Sequence, residues 1–470
     1  MQHKEYDVVV VGCGIAGLAA GLRLAEEDTD VAILEKAPKE HRGGHTQFTE
    51  SFRIPTADID LDVEFNVPDY TASDFYSDIM KVTNYRADED LAKTVTREAA
   101  ETFEWLTHKG LEWEYQAPHS GYTAGRVWLH GADMVTELID ILEDEGADIY
   151  YRAEAQDLVR DDDGTVTGVE GFLEGSRVRF EGDAVVLAAG DYGSSKEKRT
   201  RYYGPGYGNM KVRGSRYNTG EAVDAAMDVG AKSDGEWGDA HMAIIDAASP
   251  DVEGGITRID GYQYGLILNH DGERFVDEGE DARAHTYAKF GRRIFEQPYH
   301  EAFIVVDSKV VDDVAHMGPG RPITADSIES LVRRLDIEDP ERAVETVEAY
   351  NEACDPGEYD PEVLDGNSAE GVDPPKSNWA LPLDEPPFTG YPVTGGMTFA
   401  FGGVAITPDA EVLDTTDRVI PGLFAAGNST GGLFYENYPG GTGLTNAAVF
   451  GRVAAESAAE YVETERARAD

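Results

Sequence analysis

The sequence predicts an α/β protein, with a Rossmann-like sheet opened at the N-terminus, closed near the C-terminus, and an α+β cap inserted between. Three observations predict it. The apolar run Val8–Val11 leads directly into Gly12-Cys13-Gly14-Ile15-Ala16-Gly17. A second apolar run, Val31–Glu35, ends in an acid 18 residues after the last of those glycines. Two more apolar runs end in glycine turns, Ala184–Gly190 and Gly422–Asn428.

Each part of the opening motif has its own reason. Gly12 permits the tight turn from strand to helix, Gly14 lets a pyrophosphate approach the backbone, and Gly17 lets the helix pack closely on the strand. Phosphates then sit at a helix N-terminus, where unpaired N–H groups and the helix dipole favour anions. Glu35 is placed to accept hydrogen bonds from ribose hydroxyls. A glycine triplet alone is weak evidence. The strand before it, the helix after it and the distant acid together specify a dinucleotide site.

Composition narrows the class. The chain has 470 residues and a formal charge of -51, from 91 acidic and 40 basic side chains. With 41% hydrophobic residues this is a folded chain with an acidic surface, not a disordered one. Acid spread along the whole chain suits a salt-rich cytoplasm that screens self-repulsion, better than one docking face for a basic partner. Nucleic acid is excluded as a partner, because phosphate binding needs basic patches. Two cysteines, Cys13 and Cys354, imply no disulfide framework, and no metal site is expected. No apolar run approaches a membrane span and no signal peptide precedes the first strand, so a cytoplasmic protein is expected.

Between the glycine turns, residues 73–110 and 132–146 have helical spacing, as in Phe75, Ile79, Val82 and Val135, Leu138, Ile139, Leu142. Residues 148–182 read as strands and hairpins. A cap hairpin is expected from Gly265–Asn269, turning at Asp271-Gly272 into Arg274–Val276. Two helices follow, the first capped by Asp326 with Glu329, the second started by Asp339-Pro340. Residues 355–392 read as an ordered return loop anchored by Trp379, Leu381 and Phe388. A final helix is expected over Leu444–Tyr461. The domains expected are 1–233 and 386–470 for the nucleotide fold, with 234–385 as the cap.

The N-terminal motif, the middle Ala-Ala-Gly strand and the segment from Gly422 to Gly443 together resemble the flavoprotein family of fumarate reductases and succinate dehydrogenases, over nearly the whole chain. Asn269–Glu278 is similar to that family's cap hairpin. Arg42–Gln47, Arg274–Glu278, Gly279–Lys289 and Tyr438–Gly443 look most like FAD-dependent tricarballylate dehydrogenases, which oxidise a tricarboxylate to cis-aconitate. The resemblance implies FAD, held by Gly12, Gly14, Gly17, Glu35, Gly190, Gly427 and Asn428, with the Gly43-Gly44-His45-Thr46 loop beside it. It also implies that the Gly443-Leu444-Thr445 turn places backbone N–H groups at the flavin, where a helix N-terminus stabilises an anionic reduced ring. In membrane-bound relatives a histidine at the His45 position bonds covalently to FAD; a hydrogen-bonding histidine is the simpler alternative. Relatives pass electrons to an iron–sulfur or haem protein, so such a partner is implied here.

Three departures argue against fumarate reduction. Met397–Gly403 stands where that branch has His-His-Thr-Met-Gly-Gly, Ser308–Val311 lacks its proton-delivering arginine, and its late substrate arginine is missing near Tyr438-Pro439. Oxidising a CH–CH bond beside a carboxylate needs a base, a hydride acceptor and cations for the carboxylates. Arginine forks a carboxylate with two hydrogen bonds. Arg126, His130 and Arg283 are the first candidates, followed by Arg53 and Lys289. The resemblance implies that Glu278 and Arg283 relay protons. Tyr438 lies in a turn similar to one in 3-ketosteroid Δ1-dehydrogenases, as a base or as an aromatic lid. The expected substrate is a small tri- or dicarboxylate. The rivals are a fumarate reductase or succinate-type enzyme, a 3-ketosteroid dehydrogenase with Phe399, Phe401, Phe434 and Trp237 around an apolar pocket, and a non-catalytic electron-relay flavin subunit of a membrane complex.

Overall fold

The structure, a computed structural model, describes residues 1–469 except 28, 66–68 and 116–124. The first strand, Gln2–Val11, lies at the centre of a sheet between Ser176–Leu187 and Val31–Glu35, parallel to both. Val8 pairs with Ala184 on one side and Val31 on the other. Asp148–Tyr151 adds beyond Val31–Glu35, and Val419–Ala425 adds beyond Ser176–Leu187. Val8–Val11 are buried on both faces, which explains an unbroken apolar run rather than an alternating one. The predicted first strand and both later glycine-ended strands are all in this sheet, and the predicted helix follows the first of them.

The first helix, Ile15–Glu26, packs against the last, Thr442–Ala469. Their approach needs glycine: a Cβ on Gly451 would lie 2.3 Å from the Ala16 carbonyl oxygen. The last helix runs longer at both ends than its predicted Leu444–Tyr461 span.

A second sheet covers the cleft. Ser233–Asp246 pairs with the long strand Phe388–Val404, which pairs on its other side with Glu301–Val306, then Leu266–Leu268. In this register His241 stands opposite Phe399. The expected hairpin is only half present. Leu266–Leu268 is a strand, but Arg274 makes a single bridge to Leu268, and the strand's full partner is Glu301–Val306. The two helices that follow are Ile328–Arg334 and Pro340–Ala353. Asp339 caps the second as expected, accepting from the Arg342 N–H at 2.9 Å. The first is capped by Ser327, not Asp326, because the Ser327 hydroxyl is the group that meets the Ser330 N–H. The helical stretch expected over 73–110 is made of two helices, Ala72–Val82 and Glu89–His108, with Asp88 capping the second. In the return loop Trp379 is buried, and its indole N–H donates to the Asp360 carbonyl at 2.9 Å. Among the described residues no helix is long and apolar enough to cross a membrane.

Candidate active site

A long cleft runs from the first strand's glycine loop to the underside of the second sheet. At its nucleotide end Gly12 has φ +112°, and a Cβ there would lie 2.3 Å from the Ala188 carbonyl oxygen. A Cβ on Gly17 would lie 1.9 Å from the Gly12 carbonyl, so this glycine sets helix against loop and does not itself line the cleft. Glu35 ends its strand in the cleft wall, accepting N–H bonds from Ala37 (2.7 Å) and Gly43 (3.2 Å). Burial pushes its carboxyl up, and those two N–H groups oppose the shift. Each carboxylate oxygen keeps a further acceptor position. Thr46 accepts from the Ile15 N–H at 2.9 Å, fixing the loop to the start of the first helix.

Gly14, Gly44, His45, Gly190, Gly427, Asn428, Gly443 and Leu444 also line the cleft. Gly43 and Thr445 do not. Gly43 presents its N–H to Glu35, and the Thr445 hydroxyl is bonded both ways to the Arg53 backbone, donating to its carbonyl at 2.7 Å and accepting its N–H at 3.1 Å. A glycine-lined entrance, an acid on the second strand and a helix N-terminus at the far end make a cradle that fits a flavin dinucleotide.

At the other end four arginines, Arg126, Arg213, Arg258 and Arg283, line the cleft together with His241, Tyr287, Thr398, Phe399 and Tyr438. Arg126 starts the short strand Arg126–Trp128, pairs with Arg53 across it, and donates to the Ser51 hydroxyl. Arg283 forks onto Asp260 Oδ1, at 2.8 Å from Nε and 2.6 Å from Nη2, and lies 4.1 Å from the centre of the Tyr287 ring. Asp260 also meets Arg258 at 3.3 Å, and Arg258 in turn donates to Glu50. Burial opposes ionisation of Glu50, but neighbouring Arg258 outweighs it and holds that carboxyl below its ordinary range.

His241 is buried against Tyr438, Tyr287 and Phe399, with ring centres 4.6, 4.9 and 5.3 Å away. Neither of its ring nitrogens has a hydrogen-bond partner among the described residues. Burial, and then the positive charges of Arg213, Arg258 and Arg283, hold its imidazole well below the ordinary range, so it is neutral at neutral pH. The Tyr287 and Tyr438 hydroxyls are 2.6 Å apart, and Tyr438 Oη accepts from the Gly441 N–H at 3.2 Å. Burial and the neighbouring Tyr438 keep the Tyr287 phenol well above its ordinary pKa, against the pull of Arg283 and Arg126. The Gly441 N–H and the Tyr287 hydroxyl thus both meet the Tyr438 oxygen.

Four candidates lie elsewhere. Glu278 is fully buried outside the cleft, forked by Arg274 at 3.1 and 2.5 Å and bonded to the Ile267 N–H at 2.9 Å. Its lone pairs hold the half-hairpin together, so the expected Glu278–Arg283 relay is replaced by an Asp260–Arg283 pair. His130 opens the helix Gly131–Asp144 on the surface, its side chain 57% exposed, because the strand carrying Arg126 has ended and the chain has turned outward. Arg53 is buried behind the Gly440 turn, bonded to the Gly440 carbonyl and paired with Asp78 at 2.7 Å. Lys289 pairs with Glu280. Ala124, which opens the segment carrying Arg126 and His130, lies outside the described residues. Arg213, Arg258 and His241 were not expected at all. The only local signal was a polar side chain inside an apolar or glycine-rich stretch, as in Ala240-His241-Met242.

A family model described as an FAD binding domain matches residues 7–444. The chain belongs to the FAD-binding family of fumarate reductase and succinate dehydrogenase flavoproteins. It is an FAD-dependent oxidoreductase. It is 27% identical to a vinyl phenol reductase of Lactiplantibacillus plantarum, over 98% of this chain and 97% of the relative. It is 27% identical to a cytochrome-type fumarate reductase of Shewanella frigidimarina (98% and 78% covered) and 26% to a urocanate reductase of Eggerthella lenta (97% and 75%). Among solved structures, it superposes on an open flavocytochrome c3 fumarate reductase with a TM-score of 0.73 at 24% identity, covering 98% of this chain and 79% of that one. It superposes on a 3-ketosteroid Δ1-dehydrogenase of Sterolibacterium denitrificans with a TM-score of 0.78 at 20% identity, covering 97% and 100%. At those identities the superpositions speak for the fold alone.

In this flavoprotein both nitrogens of His45 are turned into the protein. Nδ1 accepts from the Ser215 N–H at 2.9 Å, and Nε2 faces Asp191 Oδ2 at 3.7 Å. Nδ1 is therefore the acceptor and Nε2 carries the proton. This arrangement favours the hydrogen-bonding alternative over a covalent link. Acid denaturation is expected to release all of the flavin into the supernatant; yellow colour or fluorescence left on the washed polypeptide would show the link.

Proposed function

We propose that this enzyme oxidises a CH–CH bond of a small polycarboxylate, with tricarballylate to cis-aconitate as the reaction. The observation that carries the reading is the set of four buried arginines at one end of the cleft of a strongly acidic protein. Burying that much positive charge is costly unless anions answer it, and among the described residues Glu50 and Asp260 are the carboxylates paired with Arg258 and Arg283. A substrate with several negative charges completes the site.

Gly12, Gly14, Glu35, Gly44, Thr46, Gly190, Gly427, Asn428, Gly443 and Leu444 would hold FAD along the cleft, with the last helix's N-terminus toward the ring. Bound FAD supplies the hydride acceptor. Arg126 and Arg283 fork carboxylates and fix which carbon faces the ring. Tyr438 takes the proton from the carbon beside a carboxylate, its oxygen held in place by the Tyr287 hydroxyl and the Gly441 N–H. Phe399 and the neutral His241 ring shield the reacting carbons from water. The steroid alternative draws on Phe399, but Phe401 and Phe434 pack behind it and Trp237 stacks on Tyr192 at 5.1 Å, outside the cleft lining. We further read the acidic surface as an adaptation to a salt-rich cytoplasm, and an iron–sulfur or haem protein as the electron acceptor.

The test is anaerobic mixing of the flavin-loaded enzyme, in molar salt, with tricarballylate, succinate or a 3-ketosteroid, while following the flavin's visible absorbance. Tricarballylate is expected to bleach it. Bleaching by the steroid alone would sink the carboxylate reading.

A further inference from the structure

Arg213 differs from the cleft arginines around it. It follows the short strand Lys211–Val212, which runs parallel to Phe388–Val404, and its N–H is held by the Met397 carbonyl at 2.8 Å. That places it one residue from the strand segment carrying Thr398 and Phe399. The side chain is 5% exposed. Nε donates to the Gly255 carbonyl at 3.2 Å and Nη1 donates to the Thr398 hydroxyl at 2.8 Å. Nη2 makes no hydrogen bond, and the guanidinium has no carboxylate within ion-pair distance, among the described residues. Burial, and then neighbouring Arg258, push it down to about 10, against the smaller pull of Tyr287, Glu50 and Tyr438. Arg258 and Arg283 already share Glu50 and Asp260.

A buried guanidinium is retained against its desolvation cost when an anion completes it. Here the two fixed hydrogen bonds orient the fork, and Arg213 lines the cleft together with His241, whose ring nitrogens are also without hydrogen-bond partners among the described residues. We propose that Arg213, oriented by Thr398, binds a substrate carboxylate beyond those held by Arg126 and Arg283, and so selects a tricarboxylate over a dicarboxylate. The inference rests on the carboxylate reading of the same cleft. It makes Arg213 a specificity residue: it acts on the carboxylate farthest from the reacting carbons, while the proton and hydride leave elsewhere.

The test measures half-saturating concentrations of tricarballylate and succinate for anaerobic flavin reduction, in wild-type holoenzyme and in R213Q, R213K and T398V. Melting-temperature shifts produced by citrate and by malonate give a second readout that needs no turnover. Losing one partner of a buried, hydrogen-bonded charge pair weakens binding by about 30-fold or more. The ratio of half-saturating tricarballylate to succinate is therefore expected to rise by about that factor in R213Q. R213K, which keeps the charge but not the fork, should rise less. T398V, which keeps the arginine but frees it, should fall between wild type and R213Q. The melting shift from citrate should shrink in the same order. An unchanged ratio, with both substrates weakened alike, would overturn the inference and leave the carboxylate reading standing. R213Q is the variant most exposed to misfolding, and an unchanged ratio in R213K and T398V alone would overturn the inference equally. If neither carboxylate reduces the wild-type flavin, both readings fall together.

Discussion

Tyr438→Phe is expected to slow flavin reduction by tricarballylate by about 100- to 10,000-fold, the range lost when a positioned proton acceptor is removed. The geometry makes this a test of the oxygen alone. Phe keeps the ring contacts to His241, Phe399 and Phe434, at 4.6, 5.2 and 5.4 Å between centres, so the aromatic wall stays packed. What is lost is the oxygen that accepts from the Gly441 N–H and meets the Tyr287 hydroxyl. Tyr287→Phe removes one of those two contacts and leaves the Tyr438 oxygen, so its loss should be smaller. A single-turnover experiment at saturating substrate separates this step from binding. A Tyr438→Phe enzyme reduced at the wild-type rate would return Tyr438 to the role of a lid and leave the base unassigned.

Gly12→Ala is expected to yield protein without FAD. The residue sits at φ +112°, a region that strains any L side chain by about 1–3 kcal/mol. The added methyl would also lie 2.3 Å from the Ala188 carbonyl oxygen, which belongs to the backbone and cannot swing aside. Loop and Ala188 turn must separate, and the cradle between them is where the nucleotide would enter. The measurement is flavin content per polypeptide after purification, beside far-UV circular dichroism and a melting curve. A colourless variant that keeps its secondary structure but melts lower is the expected result. A fully flavinated Gly12→Ala protein would show that the loop does not set the cofactor's seat.

The nucleotide half of the fold was legible because its signals are local. A strand, three glycines, a helix and an acid follow one another within Val8–Glu35, and each has a reason readable from its neighbours. The cap was less so. The Asp271-Gly272 turn promised a hairpin, yet the strand Leu266–Leu268 finds its partner in Glu301–Val306, and only tertiary packing decides between a near and a far partner. Glu278 shows the same limit for a site residue. Its spacing from Arg274 was in view, but which of two arginines it would serve depends on which is buried beside it. Arg126 and Arg283 stand out in the sequence because they lie in recognisable segments, and both line the cleft. Arg213, Arg258 and His241 reach the cleft from three separate stretches, and nothing in any one of those stretches announces that the others converge on it. His241 occupies the strand beside the one where the resemblance had marked a histidine as missing, opposite Phe399.

The pairing of Val419–Ala425 with Ser176–Leu187, and of the last helix with the first, has a consequence for biosynthesis. A ribosome delivers the glycine loop well before Gly427, Asn428 and the Gly443-Leu444 turn, which lie far down the chain. Until then the opening strand and helix lack the far wall of their own cleft, although every strand of the second sheet has already been made. Domains ordinarily fold in the order they are made; here the part made first is finished last. Cofactor capture is therefore tied to arrival of the helix Thr442–Ala469, and a polypeptide halted before it has a glycine loop but nothing to close it against.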